Sequence, residues 1–173
     1  LDFEGWQESG AKGWNYASVL PYFRRAEERA EGGDEYRGSD GPLKTTYGSL
    51  GNPLYRIFIE AARQAGYPET LDVNGHQQEG FGRMDMTVYR GLRWSAANAY
   101  LRPALRRKNL DVETHALATK ILFEGRRAVG IEYQARSGTQ RVMARRDVVL
   151  SAGPINNPQL LKLSGIGPAA HAV

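Results

Sequence analysis

The 173-residue sequence contains no cysteine. That excludes disulfides, thiolate zinc sites and cysteine nucleophiles in this stretch, and it is compatible with a reducing compartment. No apolar run is long enough to span a bilayer, so no integral membrane segment is expected. The first residues, LDFEGWQESG, lack an initiator Met and the charged stub plus apolar core of a signal peptide. Together with the ending GPAAHAV they read as cuts inside a longer chain. His76, His115 and His171 are the only histidines. None has a second His or a carboxylate at ligand spacing, so no metal site is expected and each reads as structural or surface.

What is present is the composition of a globular protein, with 41% hydrophobic, 24% charged and 10% aromatic residues. Net charge is +4, unevenly spread: residues 101–173 hold 12 Lys+Arg against 5 Asp+Glu, and residues 1–100 hold 11 against 14. A basic half fits either an anionic partner (nucleic acid or a phosphate-bearing cofactor) or a solvated surface. The stretch has no helix-turn-helix, RNP or zinc pattern, and nucleic acid is the weaker reading.

Along the chain, 13–32 reads as a helix with Val19, Leu20, Phe23 and Ala26 on one face, ended by Gly32–Gly33. Leu43–Tyr47 is a short strand. Residues 52–68 are the clearest helix: Asn52 suits the N-cap, Pro53 the first turn, and Gly66 the exit. Leu54, Phe58, Ala61 and Ala65 form its expected buried stripe. Met84–Tyr89 reads as a strand, and Ser95 as the cap of a short helix to Leu101, with a further turn after Pro103.

From Leu110 the texture turns to β, with strand-like runs broken at Gly125 and Gly138. Val129, Ile131 and Tyr133 alternate as in a half-buried antiparallel strand. Val148, Val149 and Leu150 are consecutive and apolar, which suits a strand buried on both faces of a parallel sheet.

The letters GIGPAA place Gly165, Gly167 and Ala170 in a G-x-G-x-x-[GA] pattern, which in a dinucleotide loop must follow a strand. Here it follows NPQLLKLS, a helix for which Asn157 reads as N-cap and Pro158 as first residue. Gly165 is therefore a helix exit. The strand-to-helix turn lies upstream, at Ser151-Ala152-Gly153, where ligands of open α/β sheets bind. A plain tight turn accounts for it equally well. Among other clusters, Asp72, Glu79 and Asp85 read as turn residues. Arg93, Trp94 and Ser95 read as fixing a turn, Arg93 by pairing with a carboxylate or carbonyl and Trp94 by packing, and an active-site role for them stays open. Trp14, Tyr16, Tyr22 and Phe23 read as core and not as a cation–π cage.

GPINNPQLLKLSGIG (153–167) resembles the second signature of the glucose–methanol–choline flavoenzyme family. Gly153, Pro154, Pro158, Leu160, Leu161, Ser164, Gly165, Ile166 and Gly167 match it. Asn157 replaces the usual Ser or Thr, and Pro154 the more usual Ala. GWNYASVLPYFRRAE, SDGPL, NGHQQEGFGRMDMTVYRGLRWSAANAYLRPAL and ILFEGRRAVGIEY are also similar to that family, particularly to its choline-oxidising branch.

The resemblance implies an α/β (α+β mixture) fold: part of an FAD-binding Rossmann-like domain plus part of an antiparallel-sheet substrate domain. It divides the chain into a helical segment packing on the FAD domain (1–32), a substrate-domain portion (33–109) and an FAD-domain portion (110–173). It implies FAD as cofactor, with Ala118, Ser151, Ala152, Gly153 and Pro154 beside its adenosine part. Ala118 stands where Val is common, a position whose backbone meets the adenine.

The activity it implies is hydride transfer from a primary, choline-like alcohol to flavin, giving an aldehyde. A lyase or another alcohol oxidase of the same family is the alternative. The phosphate loop is expected upstream and the catalytic His downstream of Val173, so no catalytic residue is expected in this stretch and it alone is expected to be inactive. The electron acceptor is left open. The implied location is cytoplasmic or peripheral to a membrane.

Overall fold

A computed structural model describes residues 2–168. His171 and Ala170 lie outside the described residues. The fold is mixed α/β and divides into two units, one ending at Leu110 and one beginning at Asp111.

The first unit opens with α1 (Asp2–Glu8) and α2 (Tyr16–Ala26). Asn15 caps α2 by accepting the N–H of Ser18 at 2.8 Å. The helix stops at Ala26, six residues earlier than the sequence suggests. Glu27 turns to extended backbone and β1 (Glu27–Arg29) follows. Two tertiary attachments override the helix propensity of this charged stretch: β1 pairs in parallel with β2 (Leu43–Tyr47), and the Glu27 carboxylate is held by Arg37. The aromatic helix is less buried than expected. Val19 is buried, but Trp14, Tyr22 and Phe23 are each more than half exposed. Phe23 meets Phe3 and Trp14 meets Trp6 edge to face, and Phe3 meets Trp6 in the same way, instead of filling a core.

Helix α3 (Pro53–Gln64) has the expected ends. Asn52 accepts the Leu54 N–H at 3.0 Å, Pro53 is in the first turn, and Gly66 is left-handed at φ +85°. The stripe differs. Ala62 is buried, whereas Leu54, Ile57 and Phe58 are 61–67% exposed. Phe58 meets Phe81 across 5.4 Å, and the rest of the stripe faces outward in this chain.

The expected strand at 84–89 is split into β3 (Asp85–Met86), antiparallel to β2, and β4 (Val88–Tyr89), which forms a hairpin with β5 (Leu92–Arg93). The turn Arg90–Gly91 has φ of +52° and +76°, the two-residue hairpin conformation. A five-residue π-turn (Ala97–Leu101) and the short α4 (Arg102–Ala104) close the unit. Ser95 does not cap it with its side chain: its backbone carbonyl accepts the Ala99 N–H instead.

The second unit is an antiparallel meander, β6 (Leu117–Glu124), β7 (Arg127–Ala135) and β8 (Gly138–Met143), followed by α5 (Gly153–Leu163). Gly125 and Gly138 turn the two hairpins. Ile121, Val129 and Leu160 are its buried apolar residues. Val148–Leu150 does not form a strand, and Val149 is 82% exposed. A strand needs a partner for its N–H and C=O groups, and none of the described strands runs beside this one.

Helix α5 begins at Gly153, four residues before the expected cap, so Asn157 and Pro158 lie inside it. Its exit is a Schellman turn. Ile166 N–H reaches Leu161 C=O at 2.9 Å, Gly165 N–H reaches Lys162 C=O at 3.0 Å, and Gly165 has φ +83°.

Candidate functional site

The turn before α5 is built from small residues. Gly153 has φ +91°, a conformation that favours glycine, and a Cβ placed there would meet nothing within 4 Å. The backbone is therefore bent and open on one side. Pro154 contributes no N–H. Although Asn157 does not cap the helix, its Oδ1 accepts the Ala152 N–H at 2.9 Å, which ties the turn to the first coil of α5. Ser151 and Ala152 are exposed and Gly153 is half-buried.

Ala118 sits on β6 opposite Tyr133, next to a register shift between Ala118 and Lys120. It lines a hollow of about 590 Å³ with Asp111, Val112, Glu113, Ala116, Ile131, Tyr133 and Val142. That size suits a small ligand or part of a cofactor. Residues 151–154 do not line this hollow, and no hydrogen bond joins them to Ala118. The link between the two segments runs through Ser164, whose Oγ accepts the Ile121 N–H of β6 at 2.8 Å.

The first unit holds a feature that sequence reasoning missed. Arg37 is 4% exposed and donates to three carboxylates. Its Nε and Nη2 fork onto Glu27 at 2.9 and 2.5 Å, and Nη1 reaches Asp72 at 2.7 and 2.8 Å and Asp85 at 2.8 Å. Thr45 donates its hydroxyl to Glu27 at 2.7 Å, and Asn74 its amide to Asp85 at 3.0 Å. Arg29 lies 3.7 Å from Asp72 and hydrogen-bonds the Tyr47 hydroxyl.

Burial by itself would raise the Glu27 pKa. The hydrogen bonds from Arg37 and Thr45 and the charge of Arg37 outweigh it, so the group sits below its ordinary value. The Glu27 hydrogen bond in turn holds Arg37 in its charged form more firmly than in water. Asp72 and Asp85, expected as turn residues, are thus brought together by a side chain 35 and 48 positions away. The signal for this was faint: a single Arg within the turn-rich YRGSDGPL.

Above this network lies a cavity of about 450 Å³ walled by Phe3, Tyr16, Leu20 and Phe23 and floored by Glu27, Arg37, Thr45 and Asp85. It is an apolar enclosure with a few convergent polar groups. His76 and His115 stand apart from the network. His76 shares a 3.0 Å hydrogen bond with the Tyr36 hydroxyl, and His115 occupies a left-handed position at φ +55° before β6. Trp94 Nε1–H donates to Pro42 C=O at 2.8 Å and its ring meets Tyr89 edge-on. Arg93 is exposed, its carbonyl accepting from Asn98, and it makes no ion pair among the described residues.

The model of the GMC oxidoreductase family matches residues 1–173. A human protein named choline dehydrogenase, mitochondrial, is 56% identical over 168 residues, which is 97% of this chain and 28% of that protein. An oxygen-dependent choline dehydrogenase of Brucella ovis is 52% identical over 170 residues, 98% of this chain and 31% of that protein. The crystal structure of pyridoxine 4-oxidase from Mesorbium loti superposes with a TM-score of 0.87 at 35% identity, over 98% of this chain and 34% of that one. The chain thus spans about three tenths of the length of the curated relatives it matches.

Proposed function

The chain belongs to the GMC oxidoreductase family, and from that premise we propose that it is part of an FAD-dependent enzyme oxidising a primary alcohol to an aldehyde, with choline the leading substrate. The observation that carries this reading is identity of 52–56%, over nearly the whole chain, to proteins named choline dehydrogenases.

FAD, when bound, supplies the acceptor for the hydride that leaves the alcohol carbon. The residues here have the right character to hold its adenosine part. The backbone of Ser151, Ala152 and Gly153 is exposed or half-buried at the mouth of α5, and no Cβ at Gly153 obstructs an approach. Pro154 completes the turn without adding a donor. Ala118, with its small side chain, lines a hollow together with two acidic residues, Asp111 and Glu113, whose carboxylates are suited to accept hydrogen bonds from amine or hydroxyl donors. In this reading residues 110–173 belong to the FAD domain, 33–109 to the substrate domain, and 1–32 to a helical segment against the FAD domain. The catalytic groups lie elsewhere in the longer polypeptide. Among the described residues no helix is long and apolar enough to cross a membrane.

The test is purification of the full-length protein followed by anaerobic addition of choline. The expected result is a bound flavin whose visible absorbance bleaches with choline. A protein that takes up no FAD refutes the cofactor assignment. A bound flavin that choline leaves oxidised refutes the substrate. The resemblance to pyridoxine 4-oxidase makes an aromatic alcohol the second substrate to add, and bleaching by it alone would favour that reading.

A further inference from the structure

The hydroxyl of Ser164 makes two hydrogen bonds that join different elements. It donates to Leu160 C=O at 2.6 Å, inside the last turn of α5, and accepts the Ile121 N–H of β6 at 2.8 Å. Strand β6 is an edge of the meander, paired on its other side with β7. Ile121 is only 3% exposed, so an outward N–H there needs a partner from within the protein. Ser164 is that partner.

The bond falls beside the irregularity next to Ala118: pairing slips between Ala118 and Lys120, and Ile121 is the next residue. At the other end of the same helix, Asn157 holds the Ala152 N–H. The eleven residues of α5 make a short rod about 16 Å long at 1.5 Å per residue. One end of the rod carries the turn 151–154, and the other end is pinned to the strand that carries Ala118.

We propose that Ser164 is a positioning residue for FAD. Its hydroxyl sets α5 against β6, so that the turn 151–154 and Ala118 address one cofactor at a fixed separation. The inference rests on the FAD reading above. Gly165 and Ile166 end the helix without Ser164's side chain, since the Schellman bonds use only backbone groups. The hydroxyl is therefore free to serve the inter-element bond.

The test uses the full-length protein stripped of flavin. FAD affinity is read from quenching of flavin fluorescence on rebinding, and the stability of the stripped protein from its thermal unfolding. Ser164→Ala should weaken FAD binding about tenfold, the effect of one lost hydrogen bond on the binding geometry. Ser164→Thr, which keeps the hydroxyl, should recover affinity to within about threefold. Val129→Ala, which thins the buried core of the same sheet, should lower the unfolding temperature while leaving FAD affinity near that of the parent.

Parent-like affinity in Ser164→Ala overturns the inference. So does an equal loss in Val129→Ala at equal stability, because the effect would then be general softening. If Ser164→Ala does not fold, Asn157→Ala reads the same coupling from the other end of the rod, and unchanged affinity there also overturns it. A parent protein that binds no FAD removes the cofactor reading itself, and this inference with it.

Discussion

Replacing Arg37 with alanine tests the network at the floor of the first unit. The guanidinium makes five donor contacts to Glu27, Asp72 and Asp85. The three carboxylates have side-chain exposures of 16%, 15% and 9%. Without Arg37 they are left close together and poorly hydrated, with Arg29 at 3.7 Å from Asp72 as the remaining cation. Breaking a buried ion pair by removing one partner costs about 3–5 kcal/mol. At about 4 °C per kcal/mol, where the ranges for smaller and larger domains meet and so apt for a unit ending at Leu110, the midpoint should fall by about 12–20 °C. Arg37→Lys keeps the charge but loses the planar fork and should fall between the two.

The same variant has a pH signature. In the parent, the Glu27 pKa is lowered by folding, so its contribution is present above its ordinary value of 4.5 and is lost as pH falls through the folded value. In Arg37→Ala the largest lowering influence on Glu27 is gone and burial remains, so the Glu27 carboxylate takes up its proton at higher pH. The stability gap should be widest near neutrality and should close in acid. Trp6, Trp14 and Trp94 all precede Leu110, so denaturation followed by their fluorescence reports this unit. A gap under about 1 kcal/mol at neutral pH, the size of an exposed pair, or a gap that widens in acid, refutes the reasoning.

A Cβ on Gly41 would overlap the Ala26 carbonyl and the Glu27 nitrogen, so Gly41→Ala should cost about 1–3 kcal/mol, whereas Gly5→Ala, with nothing within 4 Å, should be neutral or better; paired thermal melts check this. The Glu60 carboxyl, hydrogen-bonded by Arg63 and then by Gln64, should titrate at about 2 by NMR and return to the ordinary carboxylate range in Arg63→Ala; a Glu60 midpoint indifferent to Arg63 would contradict the pairing.

Features decided within one or two turns of chain were legible. Leu43–Tyr47, the Asn52–Pro53 start and Gly66 exit of α3, the hairpins at Gly125 and Gly138, and the Gly165 exit all follow from local sterics and capping. Features decided by distant partners were not. Glu27–Arg29 has no strand pattern and becomes β1 because Leu43–Thr45 and Arg37 hold it. The Arg37 network joins positions up to 48 apart. Asn157 reads as an N-cap in the sequence but lies inside α5, because the Gly153 bend starts the helix upstream, and its side chain instead accepts the Ala152 N–H.

The apolar stripes separate two quantities that hydrophobic periodicity fuses. A period of 3.6 residues says that Leu54 and Phe58 share a face of α3, and they do; it says nothing of which surface covers that face. Leu54 at 67% exposure, Val149 at 82% and Ile155 at 79% have the residue types of an interior and the exposure of a surface. The same holds for Val148–Leu150, whose composition suits a doubly buried strand but whose backbone groups lack a neighbouring strand here. Burial is a property of two surfaces, and the curated relatives carry more than three times this length of chain. The stripe is thus sound evidence for which face seeks cover, while the residues buried within this chain are Val19, Ala62, Ala99, Ile121, Val129 and Leu160, of which the periodicity marks Val19 and Val129.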